Sequence, residues 1–238
     1  MDADEKRARL AEIAREIARC TDCALCRNAT KPVPGEGNPD ARIVFIGEGP
    51  GFYEDQQGRP FVGASGKFLD ELLRGIGLDR KSVFITNVVK HRPPQNRDPE
   101  PSEIDACRKY LDAQLETIAP KIVVTLGRHS MQRYFPGESI SRIHGQPRRK
   151  GDLVVVPMYH PAAALHQASL RAVIEADFRR LPDFLAKILA GESPVGAAAT
   201  DAPPPHMRKQ PAPMLAPEPA TAAAASATEP DPRQMRLL

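Results

Sequence analysis

The sequence predicts an α/β fold, a four-stranded parallel sheet covered by helices on both faces. Two observations carry this. Four short apolar runs alternate with stretches of helical periodicity, and strands that alternate with helices are joined by crossovers that lay the helices over the sheet. The run RIVFIG is apolar almost throughout, the pattern of a buried strand.

The elements follow in order. Residues 3–19 place Leu10, Ile13 and Ile17 on one helical face, with Arg and Glu opposite. CTDCALC (20–26) comes next, then a Pro/Gly-rich connection, KPVPGEGNPDA. RIVFIG (42–47) is the first strand, and SGKFLDELLRGIG (65–77) is a helix ended by glycine. SVFITN (82–87) is the second strand. PSEIDACRKYLDAQLETIA (101–119) is a helix with Ser102 as the expected N-cap and Glu103 at the positive end of its dipole. KIVVTLG (121–127) is the third strand, RHSMQRYF (128–135) a short helix, and DLVVVPMYH (152–160) the fourth strand. LRAVIEADFRRLPDFLAKILA (170–190) closes the domain as a helix that Pro182 bends or interrupts.

One domain is therefore expected over residues 1–190. Residues 191–238 form an Ala/Pro-rich tail with too little aliphatic bulk to offset its ordering entropy, and are expected to be disordered. A chain of 238 residues, 41% hydrophobic, has room for one sizeable core plus such segments. A net charge of +3 permits an anionic partner without demanding one. The charged start, MDADEKRARL, has no apolar stretch behind it, so it is not a secretory signal. No run approaches the roughly 20 apolar residues that span a bilayer. A cytoplasmic monomer with no membrane partner is expected, and its four cysteines should be reduced, which favours metal binding or burial over disulfides.

Polar residues stand where the strands end. Glu48 follows the first strand, Asn87 ends the second, Gly127 ends the third, and His160, followed by Pro161, ends the fourth. Ligands of open parallel sheets bind beyond these carboxyl ends, so the carboxylate, carboxamide and imidazole point to a site. GEGPG is not a dinucleotide fingerprint, because Pro50 lacks an N–H, and there is no Walker lysine pattern.

Three stretches carry a family resemblance: GEGPGFYEDQQGRPFVGASGKFLDELL (47–73), TNVVKHRPPQNRDPEPSEIDAC (86–107) and HPA (160–162). The chain resembles the family 4 uracil-DNA glycosylases over roughly residues 20–187. The resemblance implies a three-layer α/β/α fold, removal of uracil from DNA, and a 4Fe–4S cluster. It implies that Asn87 reads the uracil edge, for which a carboxamide offers one acceptor and two donors. Phe61 would stack on the base, and His160 would donate to uracil O2 as the C1′–N1 bond breaks. Glu48 would orient water and oppose the positive sugar. Its neighbours Gly47 and Gly49 belong to the expected substrate-binding set, and no carboxylate stands at position 49, where some other glycosylase families carry a catalytic Asp. The bulk of Phe52, Tyr53 and Glu54 would help exclude the C5 methyl of thymine. GASGK opens a helix, so Ser65 and Gly66 are candidates for a phosphate, with Lys67 adding charge. Leu165 is a candidate wedge into the duplex. His166 stands where family members often have Arg.

Cys20, Cys23 and Cys107 match cysteines that bind the family's cluster, whereas His91 stands where a cysteine is typical. Three arrangements are open. His91 is the fourth ligand of a Cys3His site, as imidazole replaces thiolate in Rieske centres; or Cys26 is the fourth; or the site is degraded or binds zinc. The expected set is Cys20, Cys23, His91 and Cys107. Uracil-DNA-crosslinking glycosylases also show VKH at this point, followed by an Arg/His-rich insertion that traps the sugar. Here RPPQNRDPEP follows directly, so turnover rather than a covalent adduct is expected. The rival class is a metal-stabilised DNA-binding module without catalysis, which would not need Glu48, Asn87 and His160 to converge. In the tail, Gln234, Met235, Leu237 and Leu238 resemble the peptide that docks on the bacterial sliding clamp, with Leu in place of Phe.

Overall fold

The computed structural model describes residues 1–195 and 200–201. Among these residues the sheet contains seven strands in the order β1-β3-β2-β4-β6-β5-β7. They are β1 (Glu36–Gly37), β2 (Ile43–Gly47), β3 (Phe84–Asn87), β4 (Ile122–Leu126), β5 (Arg148–Lys150), β6 (Leu153–Met158) and β7 (Thr200–Asp201). The four strands legible in the sequence are the parallel centre, β3-β2-β4-β6. The short edges are additions: β1 runs antiparallel to β3, β5 antiparallel to β6, and β7 parallel to β5.

Side-chain alternation along these strands builds three layers. Val44, Ile46, Val123 and Val155 join one core with Ile13, Ile17 and Leu111. Ile43, Phe45, Val124 and Val156 join another with Leu69, Leu73 and Phe178. Successive residues of a strand point to opposite faces, so a fully apolar strand must be covered twice. The helix Ala3–Ala18 packs against the helix Pro101–Ile118 over the first core. The helices Ala64–Gly75, Ser169–Arg179 and Leu181–Leu189 cover the second. Phe45 and Phe178 stack with ring centroids 5.7 Å apart. Each fully buried side chain of this size contributes about 1.5–3 kcal/mol. No helix among the described residues is long and apolar enough to cross a membrane.

One local expectation is corrected. Glu100, not Ser102, caps the helix Pro101–Ile118, in a reciprocal box with Glu103, whose carboxylate accepts from the Glu100 N–H at 2.8 Å. Proline suits the first helical position because its missing N–H has no intrahelical partner there, so the helix starts before Ser102. The region 170–190 is interrupted at Pro182 as expected, giving the helices Ser169–Arg179 and Leu181–Leu189, with Pro182 in the first turn of the second.

Gly66 marks the tightest packing near the cavity. A β-carbon there would lie 1.8 Å from the Phe61 carbonyl oxygen. Gly66→Ala should therefore destabilise the protein by about 1–3 kcal/mol, the usual cost of overpacking, despite alanine's better helix propensity. Thermal denaturation measures this; an unchanged midpoint would mean that the helix and the Phe61 loop do not pack as described.

Candidate active site

The carboxyl ends of β2 and β3, the loop that carries Phe61 and the segment after β6 surround a cavity of about 430 Å³. Glu48, Asn87 and His160 all line it, as do Gly49, Phe61 and Ser65. Three expected residues do not line it directly. Gly47 lies beneath, Gly66 is buried against the Phe61 carbonyl, and Leu165 stands half exposed beside His166.

Gly47 is what lets the floor form. It pairs with Asn87 across β2 and β3. A β-carbon on it would lie 2.4 Å from Asn87 Oδ1 and 2.6 Å from Phe61 Cζ. The bare backbone thus admits a carboxamide and an aromatic ring to one place. Asn87 is buried, and its backbone is pinned by Lys90. The fully buried Lys90 ammonium donates to Asn87 O at 2.8 Å, Thr86 Oγ1 at 2.7 Å and Gln114 Oε1 at 2.8 Å. Burial pushes its pKa down to about 7.

Phe61 has φ +52°, a left-handed conformation that costs a non-glycine residue about 1–3 kcal/mol unless its surroundings enforce it. Arg80 enforces it from below. Its guanidinium donates to the Pro60 carbonyl at 2.9 Å and to that of Phe61, and pairs with Asp70 at 2.6 Å and Glu36 at 2.9 Å. Glu54 enforces it from the other side, accepting from the Val62 and Gly63 N–H groups at 2.9 Å each. The Phe61 ring lies 5.5 Å from that of His160, inclined by 26°.

The fourth strand ends at Met158, and His160 instead caps the helix Pro161–His166. Its Nδ1 accepts from the Ala162 N–H at 3.1 Å, which fixes the neutral tautomer with the proton on Nε2. Desolvation by the surrounding protein pushes its pKa down to about 4. Gly127, at φ +94°, leaves room behind it; a β-carbon there would meet His160 Cβ at 3.3 Å. The ring is thus a neutral hydrogen-bond donor at neutral pH.

Burial raises the pKa of Glu48, opposed by nearby His129. His129 Nε2 lies 3.7 Å from the Glu48 carboxylate and 3.2 Å from that of Asp98, which also pairs with Arg128. The sequence reading missed Asp98 and His129, although His129 stands two residues past the end of the third strand's Leu126–Gly127, where the strand-end rule would have looked. It also missed Asn96, which lines the cavity. Of the Phe52–Tyr53–Glu54 run, only Glu54 lines the cavity. The two aromatic rings are 50% and 61% exposed and stand outside the lining, while the Glu54 carboxylate, which accepts from the Val62 and Gly63 N–H groups, is the member of the run at the cavity.

Cys20, Cys23 and Cys107 belong to one side of the molecule, packed with the first core. Burial raises the Cys107 pKa; Cys23 and Cys20 raise it further, while the Lys90 N–H, hydrogen-bonded to its sulfur, lowers it. His91 follows Lys90, is buried, and has its pKa lowered by that burial. Cys26 Sγ donates to the Cys23 carbonyl at 3.2 Å.

The sequence profile of the uracil DNA glycosylase superfamily matches residues 34–189. A type-4 uracil-DNA glycosylase of Sulfurisphaera tokodaii is 50% identical over 182 residues, covering 72% of this chain and 83% of the relative. Those of Archaeoglobus fulgidus and Thermotoga maritima are 47% and 45% identical, covering 75% and 76% of this chain and 94% and 97% of their own lengths.

His160 has a consequence for stability. The unfolded chain takes up this proton near pH 6.5, whereas folded His160 takes it up only near pH 4. The group therefore costs nothing above about pH 6.5 and destabilises progressively as pH falls towards 4. At pH 5 the cost is about 2 kcal/mol. Urea unfolding at pH 7 and pH 5 should show a smaller pH loss for His160→Ala than for the wild type; equal losses would contradict an imidazole held neutral by the fold.

Proposed function

The chain belongs to the uracil-DNA glycosylase superfamily, and from that premise we propose that it hydrolyses the N-glycosidic bond of deoxyuridine in DNA, releasing uracil and leaving an abasic site. The observation that carries the reading is the convergence of Asn87, His160 and Glu48 on the cavity that Phe61 walls. A non-catalytic DNA-binding module has no use for that convergence.

An enzyme acting on a base must take it out of the stack. In the proposed pose the extruded uracil lies against Phe61, and the Asn87 carboxamide pairs with N3–H and O4. His160 Nε2–H donates to O2, where negative charge develops as the C1′–N1 bond breaks. A neutral donor placed beforehand in a desolvated cavity is worth about 3–4 kcal/mol to such a transition state. The Glu48 carboxylate opposes the positive charge on the sugar and orients the attacking water, and Asp98 and His129 hold it from behind. Ser65, at the start of the helix Ala64–Gly75, faces the phosphate, while Leu165 fills the gap left in the duplex.

Cys20, Cys23, His91 and Cys107 are the proposed ligands of a 4Fe–4S cluster. The donors fit it: three thiols and an imidazole lie on the loop after the first helix, the segment after β3 and the helix Pro101–Ile118. Among the described residues, these donors form no set of three within 4.8 Å of one another. The cluster would supply cross-linking rather than cleavage. Lys90 connects it to the base-reading residue, since its N–H bonds Cys107 and its ammonium bonds the Asn87 carbonyl.

We further propose one catalytic domain over residues 1–190, acting in the cytoplasm as a monomer. The sliding-clamp peptide, Gln234–Leu238, lies outside the described residues; as a proposal it would tether the enzyme to replicating DNA.

Incubation with a uracil-containing oligonucleotide followed by alkali should cut the strand at the uracil, with no protein–DNA adduct surviving SDS. Asn87→Ala and His160→Ala should each slow turnover about 10²–10³-fold. Absence of an alkali-labile site with the wild type would overturn the reading. Cys107→Ala should lower both the unfolding midpoint and the rate; a stable, fully active variant would contradict the structural role of the cluster.

A further inference from the structure

The adjacent aromatic residues Phe52 and Tyr53 take no part in the reaction described. They are 50% and 61% exposed, among the most exposed large apolar side chains of the described residues. Scattered single aromatics on a surface are ordinary. This pair is adjacent, and its position follows from the chain, because the residues on either side, Gly51 and Glu54, both line the cavity. Their rings meet edge to face, with centroids 5.5 Å apart.

Each ring is also tied to the part of the rim that would meet a nucleic-acid strand. Tyr53 Cδ2 lies 3.5 Å from where a β-carbon on Gly63 would stand. Gly63 caps the helix whose Ser65 lines the cavity. On the other side, the Arg92 guanidinium lies 5.1 Å from the Phe52 ring centre. Arg92 Nε donates to Asn96 Oδ1 at 2.7 Å, and Asn96 lines the cavity as well. The rim thus combines two exposed rings, a cation and a helix start within reach of one extruded nucleotide.

We propose that Phe52 and Tyr53 form a stacking shelf for a nucleobase next to the extruded uracil, with Arg92 supplying positive charge for the adjoining backbone. The proposal rests on the glycosylase reading, since taking the uracil into the cavity leaves each neighbouring base with an unstacked face at the rim. Stacking on an aromatic ring tolerates any base, because every base has a π face. The occupant is a base rather than a protein surface, because the patch is continuous with the nucleotide cavity and carries a cation at its edge.

The test is a binding cycle that needs no turnover. Full-length protein is titrated, by fluorescence anisotropy, with a single-stranded oligonucleotide containing a non-cleavable 2′-fluoro deoxyuridine analogue. The bases on both sides of the analogue are either natural or replaced by tetrahydrofuran. Removing them should weaken wild-type binding about tenfold. The double variant Phe52→Ala/Tyr53→Ala should bind natural DNA about tenfold more weakly than the wild type, yet lose nothing further on tetrahydrofuran DNA. Both rings are exposed, so its unfolding midpoint should match the wild type. The shelf is overturned if the variant binds natural DNA as tightly as the wild type, or if the two losses multiply. That failure is separable from failure of the catalytic reading, which shows as absent turnover on ordinary uracil DNA. Capture of a protein partner or self-association through the same rings, with the DNA cycle flat, would equally overturn it.

Discussion

The site depends on the missing side chain at Gly47. β2 and β3 lie side by side, so whatever projects from the end of one strand competes for space with the end of the other. With no β-carbon at Gly47, Asn87 Oδ1 and the Phe61 ring come within contact distance of the same backbone atom. The sheet alone would place the carboxamide; it would not place an aromatic wall against it. The wall comes from a separate loop held in a left-handed conformation by Arg80 and Glu54. Two charged side chains are thus used to fix one apolar ring, a reasonable exchange only where the position of that ring matters.

Electrostatics then divides the work. His160 is kept neutral by desolvation, and the Ala162 N–H decides which nitrogen bears its proton. Glu48 sits among an acid, an imidazole and a guanidinium, in a balance between burial and nearby His129. A neutral donor and a carboxyl group on the same cavity suit a reaction that builds negative charge on a base and positive character on a sugar. Lys90 links this chemistry to the cysteine-rich side of the molecule by bonding both Asn87 and Cys107.

Much of this was legible in the sequence, for identifiable reasons. Glu48 and Asn87 were readable because a buried strand has a simple signature and its carboxyl end has a known relation to ligands. His160 was readable too, although its strand ends earlier and Pro161 starts a helix. β1, β5 and β7 were not, since two or three residues carry no periodicity. Asp98 comes to Glu48 from a loop, so only the tertiary fold reveals it, whereas His129 follows the end of the third strand and was within reach of the same strand-end rule. The conformation of Phe61 was invisible because no local preference selects φ > 0 for phenylalanine. Cysteine spacing pointed to a metal, while the choice between His91 and Cys26 depends on side-chain direction, which spacing does not encode. Ser102 failed as a cap because the first-turn preference of Pro101 moved the helix start.

The most direct test of this account is turnover of uracil-containing DNA by Gly47→Ala, measured beside its far-UV circular dichroism. The added methyl would stand 2.4 Å from Asn87 Oδ1, so the account predicts a folded protein whose turnover has fallen by about a hundredfold or more. A folded variant that cleaves at the wild-type rate would show that the base is not read on the floor formed by Gly47, Asn87 and Phe61.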